Sequence, residues 1–91
     1  MRLLGRPVLQ TFKKAHADAR GPLDAWEAEI ESAQWQSPQD NRERYRSADF
    51  LEKGRVILNI KGNFYRLMVQ VRFQNGLVVV ERIGTHAEYS K

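Results

Sequence analysis

Three side chains in the second half of the chain are of the types that acid–base chemistry on a phosphate ester requires. Arg66 lies in a segment of alternating apolar residues, whereas His86 and Tyr89 follow the last β-rich segment, in the stretch GTHAEY. A histidine exchanges a proton near neutral pH, a tyrosine donates a hydrogen bond, and an arginine holds a phosphate through two parallel hydrogen bonds. These groups suit the cleavage of RNA without a metal ion, because the ribose 2′-OH is the nucleophile and fixed cations stabilise the charge at phosphorus.

Each of these residues also has a purely structural interpretation. A histidine near a chain end is commonly a surface residue, a tyrosine such as Tyr89 can pack a tail onto a sheet, and strand arginines keep one-sided sheets soluble. The argument for a site is that the predicted strand register places His86 beside Arg66, on a face with excess positive charge. A non-catalytic RNA-binding module and a pure protein-interaction domain stay open as alternatives.

The positions of these residues depend on two predicted β-hairpins. The pairs Gly62-Asn63 and Asn75-Gly76 separate three β-rich segments, and Asn-Gly is a strong hairpin signal. If both turns are two-residue loops, Arg66 lies opposite Asn59 on one neighbouring strand and opposite Thr85 on the other. A one-residue slip would mix the apolar and charged side chains of the first hairpin, so the alternation itself supports this register.

The face that carries Arg66 is expected to remain uncovered and to hold an RNA backbone. The candidates for that binding are Lys61, Asn63, Arg55 and Arg72. Arg82 does not fit the pattern, because it would lie on the apolar face opposite Val69. We expect it to reach out at the end of the sheet, or the last strand to bulge there.

Two helices before residue 36 supply the surface that must cover the other face. Pro7 suits the first turn of a helix, and Pro22 is expected to open a second one. The first helix has its apolar stripe at Val8, Leu9, Phe12 and Ala15, with Lys13 outside. The second has its stripe at Leu23, Trp26, Ile30 and Ala33. With a first strand in MRLLGR, the order β-α-α-β-β-β predicts an α+β fold in which both helices pack on one face of a small, mostly antiparallel sheet.

Composition narrows the class of protein. The chain has 91 residues, 42% of them hydrophobic, and no cysteine, so we expect one domain over residues 1–91 without disulfides or thiolate metal sites. The two histidines are too few for a zinc site, and no glycine-rich phosphate loop is present, so neither a metal nor another cofactor is expected. No signal peptide or apolar run of about 20 residues is found, which favours the cytoplasm.

The positive charge is concentrated in one part of the chain. The net charge is +4, and residues 51–91 hold seven Lys and Arg against three Glu, whereas residues 1–50 hold eight of each sign. A basic excess confined to the predicted sheet favours a polyanionic partner such as nucleic acid.

The stretches NIKGNFYRL and GTHAEY resemble the HigB-type toxins of bacterial toxin–antitoxin pairs, within the RelE-like superfamily. The similarity runs through most of the chain, including PLDAWEAEIESAQW. It implies a single RelE-like toxin domain that cleaves mRNA, in many relatives on the ribosome, and that a HigA-type helix-turn-helix antitoxin neutralises.

The resemblance also implies roles for individual residues. By position, Arg66 matches a functional strand arginine, Tyr89 matches a C-terminal tyrosine, and Lys61 corresponds to a lysine before the turn. His86 stands where several relatives have another arginine. It is therefore expected to act as an acid or a base instead of a fixed charge, and the assignment of the two proton-transfer roles stays open.

Overall fold

The computed structural model describes residues 1–34, 48–62, 64–85 and 87. The elements are β1 (Arg2–Leu4), α1 (Arg6–Ala15), a 3₁₀ turn (Ala17–Ala19), α2 (Arg20–Ser32), β2 (Asp49–Phe50), β3 (Arg55–Ile60), β4 (Tyr65–Arg72) and β5 (Leu77–Thr85). The sheet has the order β1-β5-β4-β3-β2, and only the β1–β5 pair is parallel. The predicted α+β fold is confirmed, with the short strand β2 as an addition.

Both helices begin near a proline. Pro7 lies in the first turn of α1, as predicted. The second helix begins at Arg20, two residues earlier than expected, so that Pro22 lies inside its first turn. The first N–H groups of a helix have no partner within it, and Pro22 therefore costs no hydrogen bond there. The break between the helices falls at His16, whose backbone is not helical (φ −131°, ψ 83°).

One hydrophobic core fills the space between the helices and the sheet. The helices contribute Leu9, Phe12, Ala19, Leu23, Trp26 and Ile30, and the sheet contributes Leu3, Val56, Leu58, Ile60, Tyr65, Leu67, Val69, Val71, Val78 and Val80. The alternate residues of β3 and β4 all point to this side, which confirms the predicted apolar face. Val8 and Ala15 were expected in the stripe of α1 but are exposed, and they line an open groove with Ile83.

Lys13 lies inside the protein, which corrects its predicted place on the outer side of α1. Its Nζ atom is 2.5 Å from a carboxylate oxygen of Asp24 and 2.5 Å from one of Glu27, and its side chain is only 8% exposed. Arg6 also contacts Glu27, at 3.2 Å. Four charged residues of α1 and α2 thus meet where the helices face each other, because Lys13 faces α2 and not the solvent.

The β3–β4 register agrees with the prediction along its whole length. Asn59 lies opposite Arg66, Ile57 opposite Met68 and Arg55 opposite Gln70. The N–H of Phe64 donates to the carbonyl of Lys61 at 3.2 Å and closes the turn.

The β4–β5 register differs from the prediction. Residues Phe73–Asn75 form a 3₁₀ turn, so the connection is longer than the expected two-residue loop and Val71 pairs with Val78. Between Met68 and Val69 the pairing then jumps by one residue, which leaves Glu81 as a β-bulge in β5. The expected bulge near Arg82 is therefore confirmed, and it turns Arg82 away from the apolar face.

Within residues 1–34, 48–62, 64–85 and 87, neither helix combines the length and the apolar content that a bilayer crossing requires.

Candidate active site

Arg66 lies near the start of β4, the central strand, on the sheet face that neither helix covers. We call this the open face; it carries Arg55, Ile57 and Asn59 on β3, Arg66, Met68, Gln70 and Arg72 on β4, and Leu77, Val79, Arg82 and Gly84 on β5. Arg66 is on the third of the five strands in the sheet order and is half-buried, with its Nε atom shielded from solvent. A guanidinium held in this way is positioned more firmly than one at the end of a freely moving chain.

The residue opposite Arg66 on β5 is Gly84, and not Thr85 as the sequence predicted. The longer turn and the bulge together move Thr85 to the position opposite Tyr65. Gly84 has no side chain and is buried, so β5 presents only its backbone opposite Arg66.

Arg55 and Arg72 lie on the open face, as predicted, and both are exposed. Arg72 is six residues from Arg66 along β4, which corresponds to about 20 Å at the usual rise of a strand. The Nε atom of Arg55 is 3.5 Å from Glu81, and Arg72 donates to the side-chain oxygen of Gln70 at 3.5 Å. The structure thus brings these cations onto one face with Arg66 but spreads them along it.

Lys61 does not lie on the open face, which corrects its predicted position. Its backbone φ is +53°, and this left-handed turn ends the alternation of β3. The Nζ atom donates to Asp18 at 2.8 Å, and the Tyr65 hydroxyl donates to the same carboxylate at 2.6 Å. Lys61 therefore connects the β3–β4 turn to the junction of the helices.

These hydrogen bonds shift the pKa values of Asp18 and Tyr65. The hydrogen bond from Lys61, followed by that from Tyr65, holds the pKa of Asp18 below its ordinary value. The bond to Asp18 raises the pKa of Tyr65 in turn, because ionised Tyr65 would lose it. A lowered carboxyl pKa means that Asp18 stabilises the fold when it is ionised.

We expect the Asp18→Asn variant to be less stable than the parent at neutral pH and equally stable in strong acid. The contribution of ionised Asp18 is complete above its unfolded pKa of about 4 and is lost as the pH falls through the lowered folded value. Urea unfolding midpoints of both proteins between pH 2 and pH 7 measure this difference. Lys61→Met should reduce the same pH dependence, and a gap between parent and Asp18→Asn that is constant at every pH would contradict the assignment.

Three predicted site residues lie outside the described residues: His86, Tyr89 and Asn63. The expected convergence of His86 with Arg66 therefore stays a prediction.

Several residues that were not predicted from the sequence share this region. Arg82 reaches the open face opposite Met68, and its misfit in the simple alternation was the available signal. Phe64 is 64% exposed two residues before Arg66, and the ammonium group of Lys61 lies 5.2 Å from the centre of its ring. Ile57 and Met68 add apolar surface next to the arginines, so the open face offers both charge and contact area.

The described part of the chain contains no group of three or more His, Asp or Glu side chains that could hold a metal ion.

A comparison with models of known protein families identifies the family of this chain. A family model described as HigB toxin, the RelE-like toxic component of a toxin–antitoxin system, matches residues 19–91. No curated protein matches the chain. The matched region contains α2, the strands β2 to β5 and the whole of the β3–β4 hairpin with Arg66. The family implies an antitoxin as a partner. Since the match covers well over half of its length, this chain belongs to the HigB toxin family, the RelE-like toxic components of toxin–antitoxin systems.

Proposed function

We propose that this toxin is an endoribonuclease that stops translation by cutting mRNA and that it needs no metal ion. The observation that carries the proposal is the place of Arg66, half-buried on the central strand of a sheet face that neither helix covers. A guanidinium in that place can bind two oxygens of a phosphate and stabilise the charge that grows there during the reaction.

The reaction is an internal phosphoryl transfer within the RNA. A base removes the proton of the ribose 2′-OH, the bond between O2′ and phosphorus forms, and the bond between phosphorus and O5′ breaks. An acid protonates the departing O5′, so the products are a 2′,3′-cyclic phosphate and a 5′-hydroxyl. Arg66 neutralises the extra negative charge at phosphorus, and the protein needs no nucleophile of its own.

In this proposal His86 transfers a proton, and Tyr89 positions the nucleotide or assists the leaving oxygen. Arg55, Arg72, Lys61 and Asn63 hold the RNA backbone. Lys61 binds Asp18 in the free protein, so an RNA phosphate that uses Lys61 has to compete with this carboxylate. Because this ion pair is exposed to solvent, replacing the carboxylate by an RNA phosphate costs the protein little stability.

The proposed partners are mRNA, the ribosome and a HigA-type helix-turn-helix antitoxin. Mixed surfaces of arginine and apolar side chains, as on the open face, suit single-stranded RNA because they contact both phosphates and bases. The cytoplasm is the compartment in which these partners would meet the toxin.

A second candidate is a non-catalytic RNA- or ribosome-binding module. The observation in its favour is the spread of Arg55, Arg66 and Arg72 over about 20 Å of the face, because a row of cations is sufficient for binding. It differs from the first candidate in one outcome, since binding alone leaves the RNA intact.

Primer extension on cellular mRNA after induction of the toxin separates the two candidates. The endoribonuclease produces new 5′ ends within coding sequences, and these ends carry a hydroxyl that becomes ligatable only after treatment with a kinase. The binding module stops translation without new ends. New ends that carry a 5′-phosphate would contradict the internal transfer, because water and not the 2′-OH would then be the nucleophile.

A further inference from the structure

A recess opens where the open face meets the β4–β5 turn, at the end of β4 that is farthest from Arg66. Its lining residues are Gln70, Arg72, Phe73, Gln74 and Asn75, and its volume is about 440 Å³. We call it the hairpin recess. Its volume falls within the range of small-molecule sites, roughly 300–1,000 Å³. None of the five lining residues is acidic.

The lining combines the three kinds of group that bind a nucleotide. Arg72 is exposed and can hold a phosphate. Phe73 is partly buried against the core, so its ring is fixed and can act as a surface for a base. The exposed amides of Gln74 and Asn75 each have a donor and an acceptor, which is what the edge of a base requires.

Hydrogen bonds hold two of the side chains that line the recess. Gln70 donates from Nε2 to the carbonyl of Lys53 at 3.0 Å, and its oxygen accepts from Arg72 at 3.5 Å. These contacts orient the guanidinium of Arg72 next to the opening. Arg2 on β1 and Arg72 on β4 also flank Leu77 in one row across the sheet, about 10 Å apart at the usual spacing of two strands. Positive charge therefore surrounds the recess from two strands.

We propose that the hairpin recess is a second RNA-binding subsite, which takes one nucleotide of the strand that Arg66 holds at the phosphate to be cut. This inference rests on the proposed function. It adds the length of the bound RNA and the path of the strand along β4. The recess lies about 20 Å from Arg66 along β4, which corresponds to roughly six stacked nucleotides at 3.4 Å each. RNA runs along β4 with its bases stacked, and a stacked strand of four nucleotides, about 10 Å long, does not reach both places.

The test compares the binding of short and long RNA. Oligonucleotides of four and ten nucleotides with 2′-O-methyl groups are used, because a methylated 2′ oxygen cannot attack phosphorus, and dissociation constants are measured by fluorescence anisotropy at fixed salt. We expect the parent protein to bind the longer RNA at least about tenfold more tightly, as base stacking together with a phosphate contact gives at least this much. The double variant Arg72→Ala/Gln74→Ala should reduce the ratio to about two or three, the advantage that a longer strand has from its additional registers.

Two further variants make the comparison specific. Arg20→Ala removes an exposed arginine at the start of α2 and should keep the full ratio. Gln74→Glu changes no volume but adds a negative charge at the recess, and it should reduce the ratio as the double variant does. Unfolding midpoints show that each variant is folded.

Several results would overturn the subsite. It is refuted if the double variant keeps the ratio of the parent, or if Arg20→Ala lowers the ratio equally. A parent protein with no preference for the longer RNA refutes the subsite alone if Arg66 is still required for toxicity. If the parent binds neither RNA and induction leaves mRNA intact, the proposed function fails and the subsite fails with it.

Discussion

Replacing Arg66 with alanine is expected to abolish the growth arrest that induction of the parent toxin causes. Arg66 is the half-buried cation on the central strand of the open face, and in the proposed reaction its guanidinium stabilises charge that develops only in the transition state. The loss of one such group lowers a catalytic rate by about 10²–10³-fold. Growth after induction and the number of new 5′ ends in mRNA measure the effect.

Two variants distinguish the role of the guanidinium from a general effect on charge or folding. Arg66→Lys keeps the positive charge but not the two parallel hydrogen bonds, and we expect residual activity between those of the parent and Arg66→Ala. Arg20→Ala removes the same charge from an exposed position on α2 and should arrest growth fully. An Arg66→Ala protein that is folded and as toxic as the parent would show that the site is elsewhere.

Replacing Lys13 with alanine should cause the largest loss of stability among single changes of charged residues in the described part of the chain. The substitution leaves Glu27, which is only 5% exposed, with Arg6 as its remaining ion-pair partner in the described residues. Removing one partner of a buried ion pair costs roughly 3–5 kcal/mol, and we expect about 3 kcal/mol because Arg6 remains. Urea denaturation measures the free energy of unfolding.

Lys14→Ala is the matched control, since Lys14 is the next residue on α1 and is exposed. Its effect should stay within about 0.5 kcal/mol. The double variant Lys13→Met/Glu27→Leu should recover most of the stability, because apolar residues of similar size often replace a buried ion pair without cost. Equal stability of Lys13→Ala and Lys14→Ala would mean that the cluster contributes nothing.

The cluster also predicts a dependence on alkaline pH. Burial alone would lower the pKa of Lys13, but the hydrogen bonds to Asp24 and Glu27 outweigh it and raise the pKa above its ordinary value. The stabilisation is therefore complete below the unfolded pKa of about 10.4 and is lost as the pH rises through the folded value.

The strongest part of the sequence interpretation was the β3–β4 hairpin. The core-facing positions from Val56 to Ile60 and from Tyr65 to Val71 are all apolar and every polar side chain falls between them, so a one-residue slip would mix the two sets. The structure has that register, and Arg66 therefore lies opposite Asn59 as predicted. The order of apolar and polar residues was sufficient here, because a one-residue slip would have buried charged side chains.

The second hairpin shows where local pattern fails. Asn75-Gly76 indicated a two-residue loop, but residues 73 to 75 form a 3₁₀ turn and shift the pairing by two. A shift by two keeps each side chain on its face, and Val78 and Val80 therefore still face the core as predicted. The bulge at Glu81 then moves the pairing by one residue in the opposite sense, and both steps together place Gly84 instead of Thr85 opposite Arg66. The bulge also reverses the faces of the residues that follow it, which brings Arg82 to the open face.

Lys61 and Lys13 were misplaced because each position depends on contacts between distant parts of the chain. The ion pair of Lys61 with Asp18 joins residues 43 positions apart, and the partners of Lys13 lie on the other helix. Periodicity within one element contains no signal of such partners. From the sequence alone, a lysine beside an apolar stripe is assigned to the surface. Its burial can be predicted only when the carboxylates of the facing helix are placed next to it.

The most direct test of the central claim, that RNA binds the open face around Arg66, is a titration of the ¹⁵N-labelled toxin with the ten-nucleotide 2′-O-methyl RNA, followed by NMR. We expect the largest shifts at the backbone amides of Asn59, Arg66 and Gly84 and at the side-chain Nε–H of Arg66. Shifts confined to the exposed side of the helices, at Val8, Lys14 and Arg20, would contradict it.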